Sequence, residues 1–270
     1  YRIRLTADRL NVDVSADPRN RTVRLSNTAG DGTLSITALA GAVFDHAGNM
    51  SAQTGPSATA AIDNTPPTIA VTGPFTTMGG ATPLTITNAG PAWYTVTYGG
   101  YSSITLAASN VTVNSTGNAQ GYAKVQTSGD PSVRYVKLEG VNNGDPLTGN
   151  GTLSITIAAG TAIDAAGNAA PAREEYGAFS VDNLPPELAL TGPWTSAAGT
   201  TPLTACNSSG TAYYLADYTG ADAITLASSN VSLNGSPTAS ISVSGGGSQR
   251  VISLANPSGN GPLGITIAAG

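Results

Sequence analysis

Between residues 65 and 183 the chain alternates β-branched and aromatic residues with Thr, Ser and Lys at a period of two, and no stretch sustains a helical period. The alternation predicts seven strands, at residues 68–72, 92–98, 104–113, 122–127, 133–140, 153–158 and 176–181. Gly, Pro and Asn punctuate them at short intervals, the rhythm of a Greek-key sandwich rather than of βαβ units. The fold class expected is all-β. Within it, Val136 and Leu138 are read as core positions, matched by Val23 and Leu25 earlier in the chain and by Ile252 and Leu254 later.

The pattern repeats. Residues 62–74, IDNTPPTIAVTGP, return 119 residues on as 181–193, VDNLPPELALTGP, and GDGTLSI at Gly30 returns at the same spacing as GNGTLSI at Gly149. A chain that duplicates its connectors as well as its cores is a tandem array. Residues 65–183 form one complete repeat, 1–64 read as the back part of another, and 184–270 as the front part of a third whose last strand is absent. The expectation is a window cut from a longer protein, so that targeting signals and anchor are not legible in it.

Composition narrows the classes. Charged residues make up 10% of the chain and the net charge is −5, which gives no basic field for nucleic acid or anionic lipid. Six arginines (Arg2, Arg4, Arg9, Arg19, Arg21, Arg24) fall near the start, but Arg2 and Arg4 alternate with Ile3 and Leu5 as the wet face of a strand does. No apolar run reaches the roughly 20 residues of a membrane helix. Cys206 is the only cysteine; no intrachain disulfide is possible, and a small buried strand residue is the expected role.

The succession xDNTPPTI, YTVTY, ITLAASNVTV, GNGTLSITIAAG and a DAAGNAA loop leading into VDNLPP resembles the bacterial immunoglobulin-like repeats of giant surface adhesins and extracellular stalk proteins. The resemblance implies a seven-stranded immunoglobulin-like sandwich, strung end to end at the cell surface and often stiffened by calcium.

Two acidic connectors carry the candidate chemistry. One is the loop Asp164 to Asn168, echoed by Asp45 to Asn49; the other is the linker Asp63-Asn64 with its two prolines, echoed by Asp182-Asn183. In an immunoglobulin topology the last hairpin of a repeat lies at the same end as its first strand, so Asp164 and Asn168 are expected to face Asp63 and Asn64. Converging carboxylate and amide oxygens suit Ca²⁺, which takes six to eight oxygen ligands. Asp45, Asn49, Asp182 and Asn183 are incomplete equivalents. The competing reading is turn chemistry, for which Asp, Asn and Gly are equally suited.

Catalysis finds little support. His46 stands in the loop copy where the other has Ala165, Glu174-Glu175 reads as a solvated loop, and the triple glycine Gly245-Gly246-Gly247 lacks the lysine and following helix of a phosphate site. Lys124 and Lys137 are the only lysines, too few for a general Lys–Asn cross-link. The expected function is a non-enzymatic spacer that projects a distal binding element, its partners being adjacent repeats and side-by-side copies. Alternatives are a carbohydrate- or protein-binding module using Tyr98, Tyr101, Tyr213, Tyr214 and Tyr218, or a non-catalytic appendage of a secreted hydrolase.

Overall fold

The computed structural model describes residues 3–4, 23, 25–26, 28–88, 90–140, 142 and 144–268. The arginine positions expected to form a wet strand face lie outside the described side chains. The chain divides into two compact units, Tyr1–Asn183 and Leu184–Gly270, and is all-β with several antiparallel sheets. Among the described residues no helix is long and apolar enough to cross a membrane.

Within the first unit, residues 65–183 build two four-stranded sheets. One runs Tyr122–Thr127, Val133–Glu139, Ala92–Gly99, Thr68–Phe75, all antiparallel; the other runs Ile86–Thr87, Arg173–Val181, Gly151–Ile157, Val111–Ser115, with only the two-residue strand parallel to its neighbour. Alternation explains the layering, because successive side chains of a strand point to opposite faces. In Ala92–Gly99 the residues Ala92, Tyr94, Val96 and Tyr98 are all buried while those between them are not. They meet Val136, Leu138, Leu153, Ile155, Ile157, Phe179 and Val181 in one core. Val136 and Leu138 sit where the sequence places them, as do Ile252 and Leu254 in the second unit, whereas Val23 and Leu25 are half-buried.

The single long strand expected at 104–113 is instead broken. Ser103–Ile104 pairs with Ala162–Ile163, a 3₁₀ turn occupies Ala108–Asn110, and Val111–Ser115 joins the second sheet. Asn110 causes the break: its side-chain oxygen accepts the Ala107 N–H at 2.9 Å while its own N–H donates to the Ala107 carbonyl at 3.0 Å. Asparagine offers the backbone this local alternative to the ladder. Asn230 and Ala227 repeat it in the second unit.

Two tyrosines tie the sheets together. The Tyr94 hydroxyl donates to the Gly177 carbonyl at 2.6 Å, and the Tyr98 hydroxyl meets Thr161 Oγ1 at 2.8 Å. Burial pushes the Tyr94 phenol far above its ordinary pKa, so it stays a neutral donor. Gly177 must be glycine, because its φ is +67° and a Cβ there would stand 2.6 Å from the Tyr94 ring.

The second unit repeats the first sheet as Glu187–Trp194, Thr211–Thr219, Gln249–Ser258, Thr238–Ser244, and pairs Val231–Asn234 with Gly264–Ile267. Ala212, Tyr214, Ala216, Val231, Ile252 and Leu254 form its core. In the first 64 residues, Gly32–Leu34 pairs with Ala60–Ile62 and Ile3–Arg4 with Thr37–Ala38.

Gly177→Ala adds both a strained φ and a clash, and is expected to cost the first unit about 1–3 kcal/mol; Tyr94→Phe, which removes only the cross-sheet hydrogen bond, is expected to cost about 1 kcal/mol. Chemical denaturation of the two variants measures both, and equal effects would remove the steric argument.

Candidate functional site

The duplicated linker is held by a hydrogen-bonded clasp. Asn64 donates its N–H to Asp31 Oδ1 at 2.6 Å and its side-chain amide to the Gly30 carbonyl at 2.5 Å, and the Thr65 hydroxyl donates to Asp31 Oδ2 at 2.6 Å. One repeat later Asn183 donates its N–H to Asn150 Oδ1 at 2.7 Å and its amide to the Gly149 carbonyl at 2.7 Å. The linker asparagine thus grips the Gly-Asp/Asn-Gly loop of the repeat before it. That loop is wedged in place: a Cβ on Gly149 or Gly151 would lie 1.9 or 2.1 Å from the carbonyls of Asn118 and Thr116.

The hairpin loops are closed in the same way. Asp164 Oδ1 accepts the N–H groups of Ala166 and Asn168, and Oδ2 accepts the Asn168 amide at 2.8 Å. Asp45 treats Ala47 and Asn49 alike. These bonds favour the ionised carboxylates. The Asn168 amide and the Asn49 amide are the leading causes that hold Asp164 and Asp45 below their ordinary pKa.

Of the four residues expected to converge, the structure brings three together through one group. The Asn168 amide nitrogen lies between Asp164 Oδ2 and the main-chain carbonyl of Asp63, 2.9 Å away. The Asp63 carboxylate instead accepts the Thr65 N–H at 3.0 Å, and the Asn64 amide turns to Gly30. Among the described residues no three of His, Cys, Asp and Glu gather in a metal-holding group. A hydrogen-bond donor occupies the space between the two oxygens, and the donor set does not fit a six- to eight-oxygen calcium cage. Asp182 and Asn183 likewise sit in hydrogen bonds, the Asp182 N–H donating to the Thr87 carbonyl.

Other sequence candidates fall differently. Tyr98 and Tyr214 are buried in the cores, and Tyr101, Tyr213 and Tyr218 are half-buried. Glu174 and Glu175 lie on strand Arg173–Val181 rather than in a loop, and Glu175 accepts the Ser154 hydroxyl. Cys206 is exposed and outside any strand, contrary to the buried strand position expected; the corresponding Thr87 is ordered by pairing with Val181, and no strand pairs there among the described residues of the second unit. His46 is exposed. Both lysines serve one carboxylate: Lys124 and Lys137 lie 2.6 and 2.5 Å from the buried Glu139. Burial pushes the Glu139 pKa up, but the two lysines prevail and hold it below its ordinary value.

Asp31 and Asn150 are the residues that sequence reasoning missed. Their signal was visible, since Gly-Asp-Gly and Gly-Asn-Gly recur at the repeat spacing, but only coordinates show which segment they hold.

No family model matches the chain, and no curated protein does. Among solved structures, domains 4-9 of surface layer protein SbsC are similar at 15% identity, covering 98% of this chain and 45% of that one, with a TM-score of 0.22. The chain therefore spans less than half of that chain's length, and a likeness at this TM-score carries no argument.

The Thr65 hydroxyl and then the Asn64 N–H hold the Asp31 carboxyl below the ordinary aspartate value. With the folded-state pKa below the unfolded one of about 3.9, the charge-assisted part of the first clasp is in place above that pH and is lost as pH falls through the folded value. A carboxyl-carbon NMR titration is expected to place Asp31 below about 3.9, with the Asn64 amide shift following it and the Asn183 amide silent. An unshifted Asp31 would dismiss the clasp as a charged one.

Proposed function

We propose that the chain is a run of immunoglobulin-like sandwich repeats that serves as a spacer in a large extracellular protein, holding a distal element away from its anchor. Strand order carries this reading. Lettering the eight strands of the two four-stranded sheets A, A′, B, C, D, E, F, G in chain order, one sheet is D-E-B-A and the other A′-G-F-C, the arrangement of immunoglobulin-type sandwiches with an added A′ edge. The duplicated clasp adds mechanical support. Asn64 fastens the linker to the repeat before it and Asn168 reaches back to the same linker from the repeat after it, while Pro66 and Pro67 restrict the backbone between them.

In this reading the joint is stiffened by hydrogen bonds rather than by an ion. Their donors and acceptors are mostly neutral or main-chain groups, in keeping with a chain only 10% charged. The surface is polar and nearly uncharged, which limits repulsion between neighbouring stalks. Of the aromatic set named for the binding-module reading, Tyr98 and Tyr214 lie in the cores.

Pulling the chain by its two ends in a force spectrometer tests the spacer. Unfolding of residues 65–183 as one mechanical unit is expected to release about 40 nm of contour length, from 3.3–3.6 Å per extended residue. Asn168→Ala is expected to broaden the small-angle scattering profile, and a chelator is expected to leave profile and melting temperature unchanged. A gradual extension without a discrete rupture, or selective capture of one sugar on a glycan array, would count against the spacer; chelator-induced softening would restore calcium to the joint.

A further inference from the structure

The four-stranded sheet of the second unit ends on a bare edge, since among the described residues Thr238–Ser244 pairs with Gln249–Ser258 alone. The matching strand of the complete repeat, Tyr122–Thr127, is also the last of its sheet, so the open edge belongs to the fold of the repeat. Such an edge presents a row of main-chain N–H and C=O groups, and the partner that satisfies a row of them is another strand.

The two repeats guard this edge differently. Ser242 stands where the complete repeat has Lys124: Lys124 lies opposite Lys137 and then Trp93, and Ser242 opposite Ser253 and then Tyr213. Lys124 and Lys137 both hold the buried Glu139, and a lysine on an edge strand discourages pairing with another chain. The second unit has Ser242, Ser253 and Ala255 in these three places, and no residue of 223–249 is charged. The edge strand is regular over 240–244, its register shift lying between Thr238 and Ser240. Ile241 and Val243 pack against the core while Ser240, Ser242 and Ser244 are exposed. The turn that follows, Gly245-Gly246-Gly247, has no side chain to obstruct a neighbouring strand.

These features select the strand's own copy as its partner. Two copies of 240–244 laid antiparallel about Ser242 set Ser240 against Ser244 and Ile241 against Val243, so serines meet on the outer face and aliphatic residues on the inner one. The same operation on Tyr122–Thr127 about Lys124 would set Lys124 against itself, like charges directly opposite. We propose that the second unit binds a second copy of this chain by antiparallel pairing of 240–244 across a two-fold axis, joining the two sheets into one. The contact is isologous, the same strand on both sides, and it closes as a pair. It is independent of the spacer reading, which concerns repeats joined in line.

Sedimentation velocity of the 270-residue chain over a concentration series tests it. A monomer–dimer equilibrium is expected, weakened at least tenfold by Ser242→Lys and by Ser242→Glu. Ser242 is exposed and lysine is the residue the complete repeat carries there, so Ser242→Lys is expected to keep the circular dichroism and melting of the parent. Mixing the two variants is the sharper measurement. Because residue 242 meets its own copy, the lysine and glutamate chains, each monomeric alone, are expected to pair one to one. Amide hydrogen exchange within 240–244 is expected to slow as the parent is concentrated and to stay unchanged in either variant alone. A parent that stays monomeric, association that Ser242→Lys leaves as it was, or a mixture no more associated than its components would overturn the proposal.

Discussion

The constraint on which the rest depends is that connector backbone must find hydrogen-bond partners in a chain with few charges to spare. Short polar side chains meet it. Asn64 and Asn183 fasten the linkers, Asp45 and Asp164 close the hairpins, and Asn110 and Asn230 turn the chain ahead of the next strand. Each bond is between a side chain and main chain close in space, and most recur in a second copy. With the turns fixed, register is fixed, and with register fixed the alternating residues of each strand all fall on one face. Slipping any strand by one residue would carry Tyr94 or Leu153 from the core to water.

The same economy governs the interior. Among the described residues the only ion pairs are those of Glu139 with Lys124 and Lys137, on the outer side of a sheet. The core itself is aliphatic, with Ala, Tyr and Phe179, and the hydroxyls of Tyr94 and Tyr98 find the Gly177 carbonyl and Thr161. Tyrosine suits this place because it contributes a large apolar ring and a single donor that needs one partner. In the second unit Tyr214 keeps the position, although its hydroxyl bond to the Leu263 carbonyl is longer, at 3.4 Å.

Much of the fold was legible because period two is a direct imprint of the pleat. Six of the seven predicted strands fall within a few residues of observed ones, and the seventh fails where Asn110 diverts the backbone, a local bond that periodicity does not encode. The tyrosine assignment fails for a related reason: Tyr98 and Tyr214 look like recognition residues until their alternation with Thr95, Thr97 and Tyr213 is taken at face value, which puts them inside. The junction was half legible. Duplicated Asp and Asn marked its two connectors, and Asn168 does reach Asp63. What sequence could not supply was the direction of each polar group. An amide nitrogen and a calcium ion fill the same gap between two oxygens, and nothing in the order of residues separates them.

The two clasps show how such a joint tolerates change. Asp31 is joined by Thr65, whose hydroxyl takes the second carboxylate oxygen; in the second copy Asn150 accepts the Asn183 N–H, and the residue that follows Asn183 is Leu184, which has no hydroxyl. The pairs vary together in the sense the chemistry requires, since a carboxylate has a second strong acceptor to satisfy and an amide presents one acceptor to the same N–H. The invariant part is smaller: an asparagine whose N–H and side-chain amide both point at a glycine-flanked loop. A spacer built from many copies needs only that minimum to be kept at each joint, and the remaining positions are then open to tuning one joint apart from the next.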